Sequence, residues 1–290
     1  MRETVGAYWR LTKPRIWGLL VFTGLVAMLV AYRESHMAPS LLQLTVGVIA
    51  ITCGSAAANT LTNYHDRDID LLMQRTKERA LPSGIIKPAW KALIFGLVLA
   101  SFSLILSFWF NVLAALFMLI GLVDNVGVYS LLLKRRSWLN IILGGISGGM
   151  PVLVGYSAVA NGISPIALYM SALVVVWIPT HIWSLAIAYK DDYKAARVPM
   201  LPVVFGDGVA SVCIAGTSAL LAAFSIAIFL FTAVSLFYTA SALILGGIVL
   251  VYSGKLALNR SQDSAWTLFK ITSPYLSLIF LAVVLDLWFF

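Results

Sequence analysis

Charge is scarce in this chain. Asp, Glu, Lys and Arg make up only 11% of its 290 residues, less than half the roughly 25% of an ordinary soluble domain. So few charges cannot cover a water-facing surface, which excludes a soluble enzyme and a disordered chain together. Cysteine is nearly absent. Cys53 and Cys213 both sit in apolar runs and read as small buried hydrophobes, not as a disulfide framework, a metal site or a heme attachment. No Ser-His-Asp or Cys-His arrangement appears, so no covalent nucleophile is expected. Low-complexity linkers and clear internal repeats are missing too.

Apolar residues are abundant, at 61% of the chain. A membrane-crossing helix needs ~20 of them, so nine such helices would use ~180 residues, close to that fraction. Nine runs stand out, over 16–33, 41–63, 89–109, 112–133, 138–160, 164–188, 208–231, 235–254 and 268–289. The first follows Arg10, Lys13 and Arg15 as a signal peptide would. Its long apolar core and the lack of a small-residue cleavage site make it a retained helix. The expected fold is all-α and polytopic, one transmembrane domain over 1–290, with nine helices around a central cavity.

The net charge of +8 would suggest nucleic acid for a soluble protein; here it reports orientation. Nineteen of the twenty Lys and Arg fall in the N-terminal tail or in the connections after helices 2, 4, 6 and 8, and only Arg33 falls on the other side. Basic connections stay in the cytoplasm, so the N-terminus is expected inside and the C-terminus outside. The nine Trp, among them Trp17 and Trp138 at helix ends, suit an interfacial belt.

The strongest chemical signal is Asn59-Thr-Leu-Thr-Asn-Tyr-His-Asp-Arg-Asp-Ile-Asp70, with three carboxylates within five residues. On a continuing helix Asp66 and Asp70 share a face, Thr62 lies one turn before, Asn59 and Asn63 flank, and Asp68 points away. Such an oxygen-rich stripe suits Mg²⁺, which takes one or two carboxylates and fills its shell with water and substrate phosphates. The plainer alternative is a solvated helix end paired with Arg67, Arg75 and Lys77. A second polar cluster, Tyr189-Lys-Asp-Asp-Tyr193, falls on the same side and favours a diphosphate–Mg²⁺ site. A transporter would place ionisable groups near the midplane, whereas nearly all charges here lie at one end.

These residues resemble the UbiA superfamily of intramembrane prenyltransferases, and within it the branch that farnesylates heme. The likeness rests on Leu11-Thr-Lys-Pro-Arg-Ile16, the Asn63–Asp70 stretch, Arg75-Thr-Lys-Glu-Arg79 and Leu81-Pro-Ser-Gly84. It continues in Tyr129, Leu133-Lys-Arg135, Asn140 and Gly144-Gly145, then in Pro179-Thr-His-Ile-Trp183, Lys190-Asp-Asp-Tyr193 and Val198-Pro-Met-Leu-Pro202. Three positions depart from the pattern: Thr62 stands where the first motif carries Asn, Thr180 replaces one of two prolines, and Ala196 breaks the second acidic motif.

The resemblance implies farnesyl diphosphate as donor, protoheme IX as acceptor and Mg²⁺ as cofactor, in the cell membrane with the active site facing the cytoplasm. It implies Asp66, Asp70 and Lys190 as catalytic residues, with Asp66, Asp70 and Asp192 on metal. Asn59, Asn63, Arg67, Arg75, Arg79, Tyr129, Lys134, Arg135, His181, Trp183, Asp191, Asp192 and Tyr193 are the substrate-binding candidates. Heme-pathway or terminal oxidase assembly partners are compatible with it; nucleic acid is not. The competing expectations are a relative acting on an aromatic acid, a quinone precursor or a glycerol phosphate lipid, and a heme-handling transporter. Asp124 within the fourth run is a cavity wall or an interhelical hydrogen bond, and His181 a porphyrin contact or a helix contact. Gly144, Gly145, Gly148 and Gly149 allow close helix packing, Pro151 is expected to kink its helix, and Asp286 is expected at the interface.

Overall fold

The computed structural model describes residues 2–289. Within lipid no water satisfies backbone amides, so apolar runs of this length close their hydrogen bonds as helices. The elements are α1 (Arg2–Leu11), α2 (Pro14–Glu34), α3 (Leu41–Asp70), α4 (Trp90–Phe110), α5 (Val112–Leu133), α6 (Asn140–Ala160), α7 (Pro165–Ala188), α8 (Lys190–Ala195), α9 (Leu201–Leu230), α10 (Leu236–Asn259) and α11 (Gln262–Phe289). All but α1 and α8 are long and apolar enough to cross a membrane, giving nine spans among the described residues; the chain is a multi-pass membrane protein. Local chemistry sets the helix starts. Ser40 and Ser164 accept the backbone N–H of Gln43 and Ala167, and Pro14 and Pro165 open α2 and α7 where no amide donor is needed. Asn111 both caps α5, through Ala114 N, and donates to Ser157 O on α6. Asp286 is buried and accepts from Ser235 and Tyr238, capping α10.

The nine spans form a ring that α11 closes against α2, with α6 the most buried helix, wedged between α2, α5 and α7. Its approach to α2 depends on a glycine from each helix: a Cβ on Gly155 would stand 2.2 Å from Gly24 O, and one on Gly24 2.9 Å from Pro151 O. The interruption of α6 falls at Gly144–Gly145, and the helix continues through Pro151. There a Cβ on Gly144 would meet Tyr129 Cβ at 2.5 Å. Outward faces carry exposed apolar side chains, such as Ile94, Val98 and Ile105 on α4, as a lipid-facing surface requires.

Three features position the site. First, α3 runs thirty residues without a break, carrying Asp66 and Asp70 beyond the end of the apolar run. Second, α5 changes from α to π geometry at Val123 and keeps it through Leu133; such wide turns cluster at functional sites. Third, the 71–89 connection folds back onto α1, where Ala7, Leu11, Ala80, Leu81, Ile86 and Ala92 form a small second core. That fold-back brings Arg79 over the end of α3.

Candidate active site

Asp66 and Asp70 are both buried, at 2% and 3% exposure, and each has acquired a cation from elsewhere in the sequence. Arg79 Nη1 donates to both oxygens of Asp70, at 3.1 and 2.9 Å. Lys134 donates to Asp66 Oδ2, and Arg135 Nη2 stands 3.9 Å from Asp66 Oδ1. Asp66 Oδ1 is buried with no hydrogen-bond partner. Asp68 turns to the outside, 62% exposed, in a two-pronged pair with Arg135 at 2.7 Å. The partners of the three carboxylates are thus Arg79, Lys134 and Arg135 rather than Arg67, Arg75 and Lys77. Arg67 instead bonds Tyr64 O and covers the Tyr64 ring, and Arg75 lies over Tyr189.

Beneath the aspartates a cavity of about 910 Å³ opens between α2, α3, α5, α6, α7 and α11. Lys13, Arg15, Lys134 and Tyr129 ring its mouth; deeper walls include Phe22, Ile51, Met118, Met150, Trp177 and Phe269. His181 also lines it, stacked between Trp177 and Phe269 with centroids 4.3 Å away on each side. Its Nδ1 lies 2.7 Å from Thr272 Oγ1. Trp183 is buried off the cavity wall. Two residues along a helix point nearly opposite ways, so His181 shares its face with Trp177 and Leu185 and not with Trp183.

Asn59 and Thr62 line the cavity as their spacing suggested. Asn63 does not; it ties α1 to α3 through Leu11 O at 2.7 Å and accepts from Arg79 at 3.4 Å. The second acidic cluster is built differently from the first. Asp192 accepts the backbone N–H groups of Gln74 and Arg75, at 2.9 and 3.1 Å, and so clamps α8 to the 71–89 connection. Lys190 pairs with Asp207 at 3.0 Å, Asp191 is exposed and Tyr193 is buried. None of these four lines the cavity. Asp124 is buried within the π stretch and accepts Ser147 N at 2.7 Å.

Lys13 is a site residue that sequence reasoning missed. It adopts a left-handed conformation, φ 55°, at the entry to α2, and this turns its side chain into the cavity mouth. Burial is the main cause lowering its pKa to about 7, with Arg79 and Lys134 adding to the effect and Asp70 and Asp66 opposing it. Lys134 goes the other way. Burial works against its charge, but Tyr129 and Asp66 more than offset that and hold its pKa above the ordinary lysine value.

Among the described residues no three His, Cys, Asp or Glu converge as a metal cage. The pair of α3 carboxylates is nevertheless suited to Mg²⁺, which needs only one or two. Asp66 Oδ1, which accepts no hydrogen bond, supplies an acceptor one turn from Asp70.

A family model described as the UbiA prenyltransferase family matches residues 20–283. The chain is 44% identical to a protoheme IX farnesyltransferase of Thermoplasma volcanium, over 98% of this chain and 99% of that one. It is 42% identical to a protoheme IX farnesyltransferase of Desulforudis audaxviator, over 99% and 90%. In fold it is similar to a digeranylgeranylglyceryl phosphate synthase, with TM-score 0.79 and 17% identity over 98% and 99% of the two chains. A UbiA homolog from Archaeoglobus fulgidus, bound to GPP and Mg²⁺, superimposes with TM-score 0.68 and 19% identity over 96% and 99%.

Proposed function

The chain belongs to the UbiA prenyltransferase family, and from that premise we propose that it farnesylates protoheme IX. A farnesyl group passes from farnesyl diphosphate to a vinyl group of the porphyrin, and water adds to the product. The observation that carries the reading is a pair of buried carboxylates, each already matched by a cation, one turn of α3 beyond the Thr62 wall of a large apolar cavity and joined to that wall through Lys134. The relatives at 42–44% identity support the acceptor. The lipid-phosphate enzyme shares only the fold at 17%, and the gathering of charge at one end speaks against a transporter.

Asp66 and Asp70 would hold Mg²⁺, which neutralises the diphosphate and draws charge from the breaking C–O bond. Lys134, Lys13 and Arg79 face the same leaving group and offset the charge that grows on it. Lys134 and Arg79 stand ready because they are already paired with the two carboxylates, and Lys13 lines the cavity beside Lys134. The farnesyl tail packs into the apolar depth of the cavity, which keeps water from the allylic cation. Trp177 and Tyr129 line the cavity, where aromatic surface favours a delocalised cation. A vinyl group of the porphyrin attacks as a π nucleophile. His181, whose two faces are covered by Trp177 and Phe269, turns only its edge to the cavity, and Arg15 at the mouth meets a propionate. Lys190, Arg75, Asp192 and Tyr193 support the site by fixing the loops above it.

The protein is placed by this reading in the cell membrane, N-terminus inside, with the aspartates at the cytoplasmic face. The test is metal-dependent turnover in lipid vesicles supplied with farnesyl diphosphate and heme. Asp66→Ala and Asp70→Ala are expected to abolish product while the proteins insert and fold, and chelation is expected to do the same to the wild type. Turnover that persists in chelator, or without both aspartates, returns this cluster to an ordinary helix end.

A further inference from the structure

One strip of the cavity wall gathers three hydrogen-bonding side chains from three helices. Thr62 on α3, Asn125 on α5 and Ser147 on α6 all line the cavity and join across three helices. Thr62 Oγ1 donates to Asn125 Oδ1 at 3.2 Å, and Asn125 Nδ2 reaches Ser147 Oγ at 3.5 Å. Ser147 is itself fixed: its backbone N–H donates to Asp124 Oδ2 at 2.7 Å and its hydroxyl to Gly144 O at 2.9 Å. An asparagine amide can make four hydrogen bonds, and Asn125 uses two here, one of them long. The strip therefore has unused donors and acceptors that face an apolar space.

Its depth coincides with one step of the reaction proposed above, on which this inference rests. Thr62 lies one helical turn, about 6 Å, below Asp66. The diphosphate is held at Asp66 and Asp70, so the farnesyl carbon bonded to it sits just beneath them. The vinyl carbon that attacks must come within bonding distance of that carbon. The positive charge then moves to the adjacent porphyrin-bound carbon, which is therefore at the level of Thr62, Asn125 and Ser147.

We propose that Thr62, Asn125 and Ser147 hold the water that completes the reaction, and that they thereby decide between an alcohol and an alkene product. The water oxygen donates a lone pair to the cationic carbon and forms the C–O bond. The proton lost from that oxygen passes to the diphosphate released earlier in the same turnover, which leaves carrying it. No oxidant or reductant is required. Without a held water the same cation loses a proton from the neighbouring carbon instead, giving an alkene lighter by one water. Asp124 is a positioning residue: its carboxylate fixes Ser147 at the break in α6.

The experiment separates product partition from rate. Wild type, Asn125→Leu, Ser147→Ala and Thr62→Val are reconstituted in vesicles with Mg²⁺, farnesyl diphosphate and heme, and the extracted hemes are resolved by mass spectrometry. The wild type is expected to give the hydrated product almost alone. Asn125→Leu is expected to shift the alcohol-to-alkene ratio toward alkene by about tenfold, the effect of one ordinary hydrogen bond. Ser147→Ala and Thr62→Val shift it the same way by less, and carry the test if the leucine variant does not fold. Ser273→Ala, on the α11 wall, leaves the ratio unchanged. A ratio identical to wild type in every folded variant, even with total product reduced, overturns the inference and makes the strip an interhelical tie. Absence of any farnesylated heme from the wild type overturns the acceptor assignment instead.

Discussion

Replacing Lys134 by methionine keeps the aliphatic stem and removes only the ammonium, so it isolates the charge that faces Asp66. The pair is buried, with side chains 12% and 2% exposed, and removing one partner of such a pair costs about 3–5 kcal/mol. Arg135 remains 3.9 Å from the other oxygen, which puts Lys134→Met near the low end, about 3 kcal/mol. Turnover should fall by about 100- to 1000-fold, the loss of one preorganised partner for developing charge. Adding Asp66→Asn removes the uncompensated charge. In a double-mutant cycle read by chemical unfolding in bicelles, about 2 kcal/mol of stability should return, well above the 0.3–0.5 kcal/mol scatter of independent sites. Turnover should not return, because the metal ligand is gone as well. Additive stabilities would refute the ion pair as described. Recovery of turnover in the double variant would refute the catalytic role of both residues.

Other expectations are simpler. A reporter fused after Phe290 should be found outside the cell and one inserted within 70–88 inside; a cytoplasmic C-terminus contradicts the orientation. Gly155→Val should destabilise the bundle by about 3 kcal/mol or more, since overpacking costs about 1–3 kcal/mol and the obstacle is the backbone oxygen of Gly24; an unchanged unfolding midpoint would show that α2 and α6 can part freely. Asp68→Ala should cost no more than about 1 kcal/mol, as exposed pairs do, and leave turnover nearly intact; a loss as large as that of Asp66→Ala would place Asp68 in the site.

Much of this architecture is legible in the sequence because hydropathy and helix geometry act locally. Asp66 and Asp70 share a face through their spacing alone, and the apolar runs are recovered as spans whose ends shift by a few residues, most at α3 and α9. What stays hidden depends on distant residues or on the backbone. Lys134 reaches Asp66 across 68 positions and Asp192 reaches Gln74 across 118, and no local pattern encodes either pairing. The π turns of α5 leave hydropathy unchanged, so Asn125 carries no signal there. Lys13 reads as one more basic residue of the tail until its left-handed backbone turns it inward. Helix α1 escapes notice because it is short and mixes charged with apolar residues. The Lys190–Tyr193 cluster shows a further case: its composition suggests a second metal site, and nothing in it foretells that each Asp192 oxygen accepts a backbone N–H from the 71–89 connection.

The most direct measurement is the heme content of cells that have no heme-farnesylating enzyme of their own and express this chain. A farnesylated, hydrated heme should be extracted with the wild type and be absent with Asp66→Ala, when both proteins reach the membrane in equal amounts. Recovery of heme B alone from both, with the purified wild type prenylating an aromatic acid or a lipid alcohol, would contradict the acceptor proposed here and leave only the family and its diphosphate chemistry.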